Sequence, residues 1–91
     1  MKSIIQQDWD TCFLCGRVGE QVHHIFGGKP NRKYSDDDGL TVRLCAACHR
    51  EVHEGKNTKK LMKALHELGQ TVYEETHTRE DFMDRYGRNY L

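Results

Sequence analysis

Leu44-Cys45-Ala46-Ala47-Cys48-His49-Arg50-Glu51-Val52-His53 closes a CxxC pair and, without a gap, opens an HxxxH pair. Residues four apart on a helix share a face, so His49 and His53 can offer their imidazoles to one point. Cys45 and Cys48 then fall in the turn that enters that helix. Zinc favours tetrahedral thiolate coordination, so the pair asks for two more thiols.

They stand upstream, in Cys12-Phe13-Leu14-Cys15-Gly16. Gly16 suits the position after the second cysteine of a zinc knuckle, where a positive φ is often needed. Together Cys12, Cys15, Cys45 and Cys48 supply four ligands to one structural zinc. Two disulfides in a secreted module are the competing use of four cysteines. Met1-Lys2-Ser3-Ile4-Ile5 runs straight into Gln6, Gln7 and Asp8, with no apolar signal region, and nothing in the chain is long enough to cross a bilayer. The expected setting is therefore the cytoplasm, and the metal reading leads.

A staple is also what the composition calls for. The 91 residues, 36% hydrophobic and 31% charged, make one small domain whose apolar burial only narrowly exceeds chain entropy. Net charge is zero, but residues 1 to 63 carry eleven Lys or Arg against eight Asp or Glu, and residues 64 to 91 carry three against six. A basic face beside the cysteines and histidines is compatible with that split.

Between the CxxC pairs, Glu20 to Phe26 reads as a strand with Val22, His24 and Phe26 on one side and His23 and Ile25 on the other. Gly27 to Asn31 opens a loop made basic by Lys29, Arg32 and Lys33. Asp36-Asp37-Asp38-Gly39 reads as a solvated turn, since it lacks the ligand pattern of an EF-hand, and Leu40 to Leu44 as the returning strand. The helix from Ala46 should stop at Gly55. Lys59 to about Thr76 follows as a second helix, with an apolar stripe of Leu61, Leu65, Leu68 and Val72 that packs on the core. Thr78 and Asp81 start a last short helix carrying Phe82, Met83 and Tyr86. Trp9 lies in a lead-in segment, and His66 and His77 read as surface or packing residues. The fold class is α+β: a zinc-stapled ββα unit over 12–54 with a helical extension over 57–91, all one domain, 1–91.

Val22-His23-His24-Ile25, followed by Leu44-Cys45-x-x-Cys48-His49 and His53, resembles the HNH endonuclease family of the ββα-metal fold in its cysteine-containing form. With His-Ile-Phe-Gly-Gly, Arg32-Lys33 and Gly39-Leu40-Thr41-Val42, the chain is similar to small HNH-like proteins encoded by bacteriophages and prophages of Gram-positive bacteria. The resemblance implies a DNA phosphodiesterase working in a bacterial host cell. It makes His24 the general base, and His23, His49 and His53 the ligands of a catalytic divalent metal, Mg²⁺, Mn²⁺, Ni²⁺ or Zn²⁺. Lys29, Arg32, Lys33, Arg43 and Arg50 become candidate phosphate contacts. The family's middle Asn falls near Leu40, so Asn31, Asp38 or a backbone carbonyl would have to take its place. Two other uses of the scaffold compete: a zinc-held nucleic-acid or protein adaptor without catalysis, and a purely structural double-zinc protein. A protein partner or a dimer is compatible with either.

Overall fold

The computed structural model describes residues 3–91. Two strands, β1 (Gln21–His24) and β2 (Thr41–Leu44), pair antiparallel with Gln21 opposite Leu44 and His24 opposite Thr41. Between them lies α1 (Asn31–Asp38); α2 (Ala46–Glu54), α3 (Thr58–Tyr73) and α4 (Arg79–Tyr86) follow β2. The result is a small α+β fold of one two-stranded sheet and four helices.

The first difference from the sequence reading is α1. The stretch expected as a basic loop and a turn is one helix, which Gly39 ends in the left-handed region at φ 74°. Its helix has no apolar periodicity to reveal it. What holds it is a polar clamp: Ser35, fully buried, receives a hydrogen bond from the Phe26 N–H and donates one to the Phe26 carbonyl, both 3.0 Å. Strand alternation also stops early, because Ile25 and Phe26 are both buried. Just past β1, the Ile25 N–H still donates to the Leu40 carbonyl at 3.0 Å.

The outer edge of β2 is covered by the N-terminal segment. The Ser3 hydroxyl donates to the Thr41 carbonyl at 2.6 Å, and the Gln6 side chain accepts from the Arg43 N–H at 2.7 Å while donating to the Asp8 and Thr11 carbonyls. Backbone groups that would otherwise template pairing with another chain are thereby satisfied.

Leu40, Val42, Leu44 and Val52 meet Ile25 and Phe26 in the core. The buried line of α3 is Leu65, Gly69 and Tyr73, so it is turned from the expected stripe, and Leu68 is only partly buried. Gly69 sets that rotation. A Cβ there would lie 2.6 Å from Ile25 Cγ2, so the missing side chain lets α3 press against the end of β1. The last helix closes the aromatic end of the core, with Phe26 ring centroids 5.2 Å from Phe82 and 4.7 Å from Tyr86. Its start is a full capping box, Thr78 with Asp81. Buried Gln70 then ties down the tail by accepting from the Tyr90 N–H at 2.7 Å.

Candidate metal centres

The four thiols converge. One Sγ from each of Cys12, Cys15, Cys45 and Cys48 lies within 4.8 Å of all the others, and Cys15 Sγ is 3.6 Å from Cys45 Sγ. Tetrahedral zinc with bonds of about 2.3 Å would set sulfurs about 3.8 Å apart, so the cluster fits a zinc ion with little rearrangement. Gly16 has φ 80°, and Thr11 bridges to Val18 across the first knuckle. The second knuckle is joined to α2, because Cys45 is the N-cap of that helix and its sulfur accepts from the Cys48 N–H at 3.4 Å.

The thiols are electrostatically unequal. Burial alone would push the Cys12 thiol up, but the backbone N–H groups of Cys45, Cys15 and Leu14 outweigh it and bring it down to about 6. Burial, with the neighbouring thiols, pushes Cys48 up. A cation supplies what lets all four be thiolates together.

A second convergence sits beside it. His23 from β1 and His49 and His53 from one face of α2 each bring a ring nitrogen within 4.8 Å of the other two. His49 Nε2 and His53 Nε2 are 3.1 Å apart, and the His23 ring centroid is 5.3 Å from each of theirs. His23 is 3% exposed, and its Nε2 is buried with no hydrogen-bond partner. A buried imidazole with an unpartnered nitrogen, beside two further imidazoles, fits the ligand set of a metal ion. Burial, reinforced by the charges of His49, His53 and the other nearby histidines, brings His23 down to about 4; burial and His53 also lower His49. Both are therefore neutral at pH 7, the form that binds metal. Gln21 Oε1 pairs with His49 Nδ1, which leaves the opposite nitrogen of that ring for the shared point.

His24 is not one of the three converging imidazoles but shares their cavity. A pocket of about 280 Å³ is lined by Val22, His23, His24, Gly28, Arg32 and the two α2 histidines, among others. A neighbouring one of about 420 Å³ is lined by His24, Gly28, Lys29, Pro30, Arg32, Lys33 and Asp36. His24, Gly28 and Arg32 belong to both, so the two form one surface around His24.

Of the five cations picked from the sequence, Lys29, Arg32 and Lys33 border this surface. Arg43 does not: its guanidinium donates to the Gly19 carbonyl at 2.8 Å and lies 5.4 Å over the Trp9 ring, a structural use. Arg50 is exposed on α2 and lines neither cavity. The two side chains considered as stand-ins for the middle Asn are also committed elsewhere. Asn31 donates to the Tyr86 carbonyl at 3.1 Å, and Asp38 takes two bonds from Arg85, at 2.6 and 2.9 Å, and one from the Tyr86 hydroxyl. Leu40 is buried in the core. The residue that sequence reasoning missed is Asp36, whose Oδ1 lies 3.6 Å from His24 Nε2. Only the helical form of α1 brings it there. His66 stacks on Phe26 and His77 on Tyr73, outside both clusters.

The site thus defines a class: a small α+β chain with a four-thiol cluster and a three-imidazole cluster joined through one helix. Among curated proteins the chain is similar to the Type IV methyl-directed restriction enzyme EcoKMcrA of Escherichia coli (strain K12), 32% identical over 77 residues. The match takes in 69% of this chain and 26% of that enzyme, so the chain spans about a quarter of its relative's length. No family model and no solved structure matches the chain.

Proposed function

We propose that this chain is an HNH-type endonuclease unit of the ββα-metal fold, hydrolysing DNA phosphodiester bonds at the surface around His24. The observation that carries the reading is the buried His23, its Nε2 unpartnered and one of its ring nitrogens within 4.8 Å of those of His49 and His53, with a separate imidazole, His24, in the same cavity. A purely structural site has no need of the fourth. The similarity to a restriction enzyme supports the same reading.

In this reading Cys12, Cys15, Cys45 and Cys48 hold a structural zinc, and His23, His49 and His53 hold the catalytic divalent ion. When bound, that ion supplies positive charge against the phosphate and the departing 3′ oxygen. His24 takes a proton from water as the water oxygen bonds to phosphorus and the P–O3′ bond breaks. Arg32, Lys29 and Lys33 hold backbone phosphates of the strand, giving affinity and salt dependence without reading sequence.

One observation favours the adaptor alternative: both side chains considered for the middle Asn are occupied by α4. Plasmid nicking over Mg²⁺, Mn²⁺, Ni²⁺ and Zn²⁺ decides between them. The wild type should nick with at least one of these ions. His24→Ala should fold, bind metal and DNA, and lose about 10² to 10⁴ in rate. His49→Ala should lose the second metal as well as cleavage. Undiminished nicking by His24→Ala would place the base elsewhere, and a wild type that binds DNA but never nicks would make the chain an adaptor.

A further inference from the structure

We infer that Asp36 is the positioning residue for His24, holding its imidazole in the tautomer that keeps Nδ1 open to accept a proton. The inference rests on the reading of His24 as the base. Its starting point is the divergence of three successive aspartates. On α1 each residue turns about 100° from the last, and the carboxylates accordingly find three different partners: Asp36 faces His24 at 3.6 Å, Asp37 faces Lys33 at 3.3 Å, and Asp38 holds Arg85 and Tyr86. Asp36 has no other side-chain partner among the described residues.

The separation of 3.6 Å is a little longer than a direct hydrogen bond, and catalytic contacts commonly tighten when substrate binds. What makes the contact more than a chance approach of a half-exposed carboxylate is how firmly both backbones are held. Ser35, the residue before Asp36, is locked to Phe26, two residues after His24, by the pair of buried bonds. The Leu40 N–H donates to the Ser35 carbonyl at 2.8 Å, and the Asp38–Arg85 pair fixes the end of the same turn. His24 is held from its own side by pairing with Thr41. What is left to adjust is the side-chain torsions of His24 and Asp36.

The chemistry needs such a partner. An imidazole accepts a proton on one nitrogen only if the other already carries one, and a carboxylate beside Nε2 selects that arrangement. The other side chains considered for this task, Asn31 and Asp38, are turned to α4.

Long-range ¹H–¹⁵N NMR of ¹⁵N-histidine protein loaded with zinc reads the tautomer directly, with the urea-unfolded chain as reference. Wild-type His24 should hold its proton on Nε2 to a greater extent than in the unfolded chain. Asp36→Asn should return it toward that reference or past it, and lower kcat for nicking by about 10- to 100-fold with KM within about twofold. Asp36→Glu should recover part of both. An unchanged tautomer in Asp36→Asn, or a loss seen in KM alone, would overturn the inference. The two readings fail separately: a wild type that never nicks but whose tautomer follows residue 36 sinks the nuclease reading alone. Nicking that dies in His24→Ala but ignores Asp36→Asn sinks only the positioning role.

Discussion

Ser35→Ala tests the physical link between the sheet and the site. The hydroxyl makes two bonds of 3.0 Å to the N–H and carbonyl of Phe26, and both partners are buried. Removing it leaves two backbone groups without partners, each costing about 1–3 kcal/mol. Alanine's better helix propensity returns about 0.5 kcal/mol. The net loss should be about 1.5–5.5 kcal/mol, a large fraction of the roughly 5–15 kcal/mol typical of a domain. Urea unfolding at saturating zinc, followed by tyrosine and tryptophan fluorescence, measures it through the shift in midpoint at constant m. A loss under about 0.5 kcal/mol, the range of an ordinary surface substitution, would refute the clamp as what holds α1.

Three further outcomes follow from other parts of the molecule. Cys45→Ser should yield a chain without a zinc-dependent folding transition, because thiolate sites of this kind contribute about 10–16 kcal/mol in small peptides; a well-folded variant with no zinc requirement by circular dichroism would contradict the staple. His23 is buried neutral and falls from its ordinary 6.5 to about 4. With zinc limited to one equivalent, wild type should lose about 3 kcal/mol relative to His23→Leu as pH drops from 7 to 4. The loss begins below 6.5 and is complete below 4, and a pH-independent difference in unfolding free energy would rule it out. Gly69→Ala should destabilise by about 1–3 kcal/mol through overpacking against Ile25, despite the helix propensity it gains; a raised melting temperature would show that α3 can shift away.

The elements with a strong local signature were legible in the sequence. The knuckles announce themselves by spacing, Gly55 and the Thr78–Asp81 box bound their helices, and the i, i+4 histidines converge because a helix makes them. The rest depended on contacts between distant residues. Helix α1 has almost no apolar content, so no periodic signal exists, and its stability comes from Ser35 meeting Phe26 and from Asp38 meeting Arg85. The rotation of α3 hinges on what faces Gly69, which no stripe of leucines can report. Once α1 is taken for a loop, the aspartates look equivalent and Asp36 cannot be singled out. Arg43 was chosen for its charge, but its guanidinium is folded back onto Gly19 and Trp9.

Cys45 is at once a candidate zinc ligand and the residue whose sulfur receives the first-turn amide of α2, the helix that carries His49 and His53. The thiol cluster and the imidazole cluster are therefore tied to the same helix. Loosening the thiol cluster would disturb the start of the helix that bears two of the three imidazoles. An oxidant that reached only the sulfurs would then disturb the imidazole cluster without touching one of its residues.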